Sequence, residues 1–178
     1  EYILSLTVGG TSRDGTFGSR EGFLVSLDSD GAFRWMATVH GGGFDSLDAV
    51  APLADGSVCF VGRFEHPATF VDAFGDESSL TSVGSTAAML GCVDSTGRRQ
   101  FVERFGGTGI SVFEDITVDD SSNLYVAGRF SGTVDFGSVL ASRGRRRCRC
   151  QLPPGRDAPM EPSLRFVSSR SWYDARLS

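Results

Sequence analysis

Two histidines are the first candidates for proton transfer near neutral pH. His40 precedes Gly41-Gly42-Gly43, with Asp45 and Asp48 downstream as carboxylates that can orient an imidazole. In the second copy of an internal repeat the equivalent residue is Gly106, so the repeat does not require the ring and His40 reads as a loop residue. His66, before Pro67, reads as part of an extended connection. The nearest approach to a nucleophile elbow, Gly18-Ser19-Arg20-Glu21-Gly22, has its serine one place too early. Gly106-Gly107-Thr108-Gly109 has the glycines of a phosphate-cradling loop, but a strand pattern follows where such loops need a helix N-terminus. The sequence therefore assigns no catalytic residue and no cofactor, and it predicts a protein that is not an enzyme.

Two charged features point to binding. Asp28-Ser29-Asp30-Gly31 is a short carboxylate cluster, and Asp28 and Asp30 are weak candidates for calcium, whose ligands are oxygens. The places where an EF-hand-like loop puts further ligands hold Ala32 and Val39, which favours a simple turn. Arg63-Phe64 and Arg129-Phe130 recur at equivalent repeat positions. Guanidinium groups repeated on one face suit an anionic partner; the structural alternative pairs each arginine with a local acid such as Glu65 or Asp135 while the phenylalanine packs inward.

The elements that must position these residues are strands. Residues 22–70 align without a gap on 88–136 at an offset of 66, with ten identities in 49 positions. Leu24, Asp28, Gly31, Gly62, Arg63 and Phe64 meet Leu90, Asp94, Gly97, Gly128, Arg129 and Phe130. Each unit predicts four strands: 22–28, 32–40, 47–53 and 57–64, then 88–94, 98–105, 113–118 and 123–130. Asp28-Ser29-Asp30-Gly31 and Asp94-Ser95-Thr96-Gly97 suit tight turns, because aspartate can bond the following backbone and glycine takes positive φ. Four strands per unit predict one propeller blade. Residues 2–12 predict the last strand of a preceding unit, with Gly10 in the place of Gly62 and Gly128.

The second unit carries the most specific pattern. Asp94-Ser95-Thr96-Gly97, Phe105-Gly106-Gly107-Thr108-Gly109, the run 118–128 and Phe130-Ser131-Gly132-Thr133-Val134-Asp135-Phe136-Gly137 together resemble the β-propeller repeat known as the SBBP repeat. The resemblance covers roughly residues 2–142. It implies tandem blades of an incomplete propeller and a secreted or cell-surface location; it implies no shared chemistry, since propellers host many functions.

Charge divides the chain. Residues 1–142 hold 8 Arg against 19 Asp and Glu, whereas 143–178 hold 9 Arg against 3 acids. The acidic body argues against nucleic acid as its partner, and no apolar run is long enough to span a membrane. The expected organisation is the end of a preceding blade with its connection (1–21), two units (22–86 and 87–142) and an Arg/Pro-rich tail (143–178) expected to be disordered. Cys59 and Cys92 are expected to be unpaired, since the other unit has Tyr125 and Ser26 in their places. The expected function is a non-catalytic binding or scaffold module for a protein or carbohydrate partner, with self-association through unpartnered apolar surfaces. The alternative is part of a propeller hydrolase or lyase whose catalytic residues lie on other blades.

Overall fold

The computed structural model describes residues 5–16, 18–135, 139–141, 146–152 and 165–166. Among them the chain is all-β, in several antiparallel sheets, with no helix long and apolar enough to cross a membrane. The first unit supplies β3 (Gly22–Leu27), β4 (Phe33–Gly41), β5 (Ser46–Pro52) and β6 (Val58–Phe64). The second supplies β9 (Ala87–Val93), β10 (Arg99–Gly107), β11 (Ser111–Val118) and β12 (Leu124–Phe130). These eight strands lie within two residues of the limits expected from the repeat. Short strands that the sequence reading did not anticipate follow the four expected ones within each unit: β7 (Ala68–Val71) and β8 (Glu77–Leu80), then β13 (Thr133–Asp135) and β14 (Val139–Ala141).

Strand pairing runs out of phase with the repeat, which corrects the expectation that the four strands of a unit form one sheet. One sheet has the order β3-β4-β7-β8 and the next the order β14-β13-β10-β9-β6-β5, so β5 and β6 of the first unit share a sheet with β9 and β10 of the second, joined where β6 pairs with β9. β11 and β12 begin a third sheet. The physical reason lies in the connections. Turns of a few residues join β3 to β4 and β5 to β6 as hairpins, whereas the glycine-rich loop between β4 and β5 carries the chain to the next sheet.

The middle sheet is covered on both faces. β9 reads Ala-Ala-Met-Leu-Gly-Cys-Val and is buried throughout, as a strand sandwiched between two layers must be. Its neighbour β6 sends Cys59 and Val61 toward Phe113, Ile116 and Val126 of the third sheet. The alternate residues Phe60 and Phe64 join Leu24, Val39 and Phe70 of the first sheet. Phe60 stacks on Phe70 with ring centroids 5.1 Å apart.

Cys59 on β6 lies directly opposite Cys92 on β9, and the two form a disulfide. This corrects the expectation that both are unpaired. Assigning β6 and β9 to separate blades hides the pairing that places the two sulfurs side by side.

The N-terminal expectation is also corrected. Residues 5–14 are a hairpin of β1 (Ser5–Val8) and β2 (Thr11–Asp14) rather than a single last strand. Gly9 and Gly10, at φ 56° and 79°, make its two-residue turn, which needs positive φ at both positions. Gly10 is therefore a turn residue, unlike Gly62 and Gly128, which lie inside strands.

Most of the tail lies outside the described residues. Within it, β15 (Arg146–Leu152) pairs with β12, and β16 (Arg165–Phe166) pairs with β15. The expectation of a disordered tail over 143–178 therefore falls mostly outside the described residues.

Candidate functional site

The fourth strand of each unit carries the Gly-Arg-Phe triplet, and its geometry starts with the glycine. A Cβ on Gly62 would meet the Ser46 carbonyl oxygen at 2.0 Å, and one on Gly128 would meet the Val112 carbonyl oxygen at 2.1 Å. Only glycine lets the facing strand come so close. Beside each glycine the facing strand is irregular: the β5–β6 register shifts between Leu47 and Ala49, and the β11–β12 register between Phe113 and Asp115. The extra residues at these bulges are Asp48 and Glu114. A bulge re-aims the side chain it displaces, and here both carboxylates meet an arginine of the neighbouring strand. Arg63 Nε lies 3.9 Å from Asp48 Oδ2 and donates to Ser46 Oγ at 3.2 Å; Arg129 Nη1 donates to Glu114 Oε1. The acids that hold the two arginines are thus Asp48 and Glu114; of the two acids that the sequence suggested, Glu65 accepts from Phe44 N–H, and the Asp135 side chain lies outside the described residues.

The two arginines then come together. A cleft of about 300 Å³ is lined by both Arg63 and Arg129, with Arg20, Phe44, Asp45 and Ile110 among its other walls. Its walls repeat as the sequence does. Arg20 bridges to Phe44 in parallel, and Thr86 bridges to Ile110 in the same way 66 residues later. Asp45 N–H donates to the Arg20 carbonyl at 2.7 Å, and Ser111 N–H to the Thr86 carbonyl at 3.0 Å. Phe44 and Ile110 stay exposed at the cleft, and the Arg20 guanidinium lies 5.3 Å from the Phe44 ring centroid.

Carboxylates beside the cleft differ in how they are satisfied. Glu21 is fully buried but accepts from Thr16 N–H at 2.7 Å, Gly41 N–H at 3.1 Å and the Ser19 hydroxyl. Asp45 is 1% exposed; its Oδ1 accepts from Glu65 N–H at 3.1 Å, while Oδ2 has no hydrogen-bond partner. Burial is the main reason its carboxyl is pushed up to about 7, and the nearby Glu21 and Glu65 charges add to it, against the Glu65 N–H, which lowers it. At the equivalent position Ser111 is likewise buried with an unpartnered hydroxyl.

The remaining candidates lie apart from this cleft. Asp28 Oδ1 accepts from Asp30 N–H at 3.0 Å and Ala32 N–H at 2.8 Å, so it caps its turn. Asp72, Asp94 and Asp119 cap equivalent four-residue turns in the same way. Among the described residues no three His, Cys, Asp or Glu side chains converge as a metal site. His40 lies in β4 opposite Thr69, and no hydrogen bond joins it to Asp45 or Asp48. His66 holds a turn at φ 58°.

Sequence reasoning singled out Arg63 and Arg129 but missed their carboxylate partners and Asp45 as the cleft's buried acid. The partners had a legible signal, an acid at both 48 and 114 in the gapless alignment. Asp45 had none, since it aligns with Ser111. No protein-family model matches the sequence, and no curated protein matches it.

Proposed function

We propose that the chain is a non-catalytic binding module of propeller type, whose cleft at Arg63 and Arg129 takes an anionic group of a protein or carbohydrate partner. The observation that carries this reading is the convergence of two repeat-equivalent arginine–carboxylate pairs on one cleft. A guanidinium braced by a carboxylate on one side keeps N–H donors for a second oxyanion, so each pair positions an arginine without consuming it. The SBBP-type pattern supports the tandem architecture. The Cys59–Cys92 disulfide supports an oxidising, extracellular setting.

The test is calorimetric titration with two anionic probes, hexaglutamate and trigalacturonic acid, at low and at 0.5 M salt. At least one probe should bind, weaken with salt, and lose tenfold or more in affinity in the Arg63→Ala/Arg129→Ala double variant, while Arg34→Ala leaves it unchanged. Binding of neither probe, or binding indifferent to both arginines, overturns the reading.

A further inference from the structure

We infer that the chain binds a second copy of itself head to tail, β12 of one copy pairing with β3 of the next, so that two partial sheets become one complete sheet. The reason lies in the repeat. The middle sheet joins the hairpin β5–β6 of the first unit to β9, β10, β13 and β14 of the second. The first sheet, β3-β4-β7-β8, has the equivalents of the last four strands and lacks the hairpin; the third sheet has the equivalent hairpin, β11–β12. Registers agree as well as order. Gly22 faces Val39 as Ala88 faces Phe105, and Gly41 faces Ala68 as Gly107 faces Val134. In the hairpins Ala49 faces Val61 as Asp115 faces Ala127. The first and third sheets are thus complementary halves of the middle one.

The β6–β9 seam supplies the register of the joint, with Val58 facing Val93, Cys59 facing Cys92 and Gly62 facing Met89. Carried over by the repeat, Leu124 faces Leu27 of the second copy, Tyr125 faces Ser26 and Gly128 faces Phe23. Phe23 and Leu27, both exposed, then share a sheet face with Val126 and Phe130, the face that packs with Leu90 and Phe105 of the middle sheet. Val50 has the same need of cover. Its equivalent Ile116 is 6% exposed, packed with Cys59 and Val61 of the β5–β6 hairpin, whereas Val50 is 49% exposed beside a first sheet that has no such hairpin. In the single chain β15 holds the β12 edge, but out of phase with the repeat: Cys150 stands opposite Val126, where the repeat places residue 157. An incoming β3 replaces that main-chain ladder and adds the burial of Phe23, Leu27 and Val50. The two joining surfaces differ, so association is heterologous and continues until it closes. Rings of about two to four copies, with two complete sheets per copy, match the about four to eight blades of closed propellers.

The experiment uses the full chain. In sedimentation equilibrium the unaltered chain should associate, and Phe23→Glu/Leu27→Glu should weaken association about tenfold or more, because each substitution buries a charge at the joint. Val83→Glu, at an exposed valine outside the joint, should leave it unchanged. For the register, Ser26→Cys and Tyr125→Cys are placed on separate chains that also carry Cys148→Ser/Cys150→Ser, then mixed and oxidised. Mass spectrometry should find a peptide linked between positions 26 and 125, in about tenfold excess over any link formed when Ser26→Cys is mixed with Glu103→Cys on β10, which is paired on both sides. Should Tyr125→Cys fail to fold by circular dichroism, Ala127→Cys, diagonal to Ser26 in the same register, takes its place with a short bis-thiosulfonate linker. A chain that stays monomeric at every concentration overturns the inference and leaves β3 to a further repeat unit or to another protein. Association indifferent to Phe23 and Leu27 overturns the surface. A Ser26→Cys chain that links only to itself overturns the head-to-tail order.

Discussion

Cys59 and Cys92, 33 residues apart in sequence, face each other across neighbouring antiparallel strands and are linked by a disulfide at the seam between the two repeat units. The bond closes the loop containing β7 and β8, which belong to a different sheet, and so ties two sheets to one covalent ring. Such a crosslink restricts the unfolded chain and contributes about 2–4 kcal/mol. Non-reducing digestion with mass spectrometry should yield a Cys59–Cys92 linked peptide, and Cys59→Ser/Cys92→Ser should lower unfolding free energy by about that amount. Finding both thiols free in material from an oxidising compartment would count against the pairing.

The glycines that bring β5 to β6 and β11 to β12 should not tolerate a methyl group. A Cβ on Gly62 or Gly128 collides with a backbone carbonyl, which cannot swing aside as a flexible side chain can. Gly62→Ala and Gly128→Ala should each cost about 1–3 kcal/mol, the usual range for overpacking. Gly42→Ala, where a Cβ meets nothing within 4 Å, is the control, expected to cost far less in the same denaturant titration.

Two turns carry a non-glycine residue where the other unit has glycine. His66 sits at φ 58° and Ser122 at φ 62°; their equivalents Gly132 and Gly56 have φ 72° and 84°. The left-handed conformation costs an L-residue about 1–2 kcal/mol, partly offset by the extra entropy of an unfolded glycine. His66→Gly and Ser122→Gly should each stabilise the chain by about 0.5–1 kcal/mol. Lower stability of both variants would show that these side chains make compensating contacts.

Asp45 and Asp119 push stability in opposite directions with pH. Asp45 holds its proton up to about 7 when folded, so the folded state binds the extra proton between its ordinary value of 3.8 and about 7. Its contribution is therefore present below 3.8 and lost as pH rises to about 7, a decline on the order of a few kcal/mol. Asp119 is held down to about 2, first by the Asn123 side chain and backbone N–H and then by the Tyr125 hydroxyl and Ser121 N–H. That contribution is present above 3.8 and lost as pH falls toward 2. Asp45→Asn should flatten the stability profile between pH 4 and 7, and Asp119→Asn the limb below pH 4. An unchanged slope between pH 4 and 7 in Asp45→Asn would contradict the assignment.

The first sheet has an edge that its counterpart lacks. β9 is paired on both sides, by β6 and β10, whereas β3, its repeat equivalent, pairs only with β4 among the described residues. Phe23 and Leu27 on β3 are 37% and 51% exposed, while all of β9 is buried. An open strand with apolar side chains invites pairing with another chain. Amides of β3 should exchange faster than those of β9, and sedimentation should show concentration-dependent association that falls when a further repeat unit is fused ahead of Gly22. A monomer at every concentration would refute it.

Local chemistry made much of this protein legible in its sequence. Alternating apolar residues, Asp-x-x-Gly turns and a gapless repeat determine the eight main strands and their hairpins, because each depends on residues within a few positions of one another. The repeat also marked Arg63 and Arg129 as equivalent. Tertiary structure alone decided which hairpins share a sheet. The hairpins β5–β6 and β9–β10 are each locally specified, but joining β6 to β9 depends on packing between two layers rather than on any residue near either strand. From that one long-range choice follow the Cys59–Cys92 bond across the β6–β9 seam and the sandwiched middle sheet. The meeting of both arginines in one cleft, with Asp45 left there without a partner for Oδ2, is settled at the same level, since it depends on how neighbouring sheets stack and not on the order of residues along either strand.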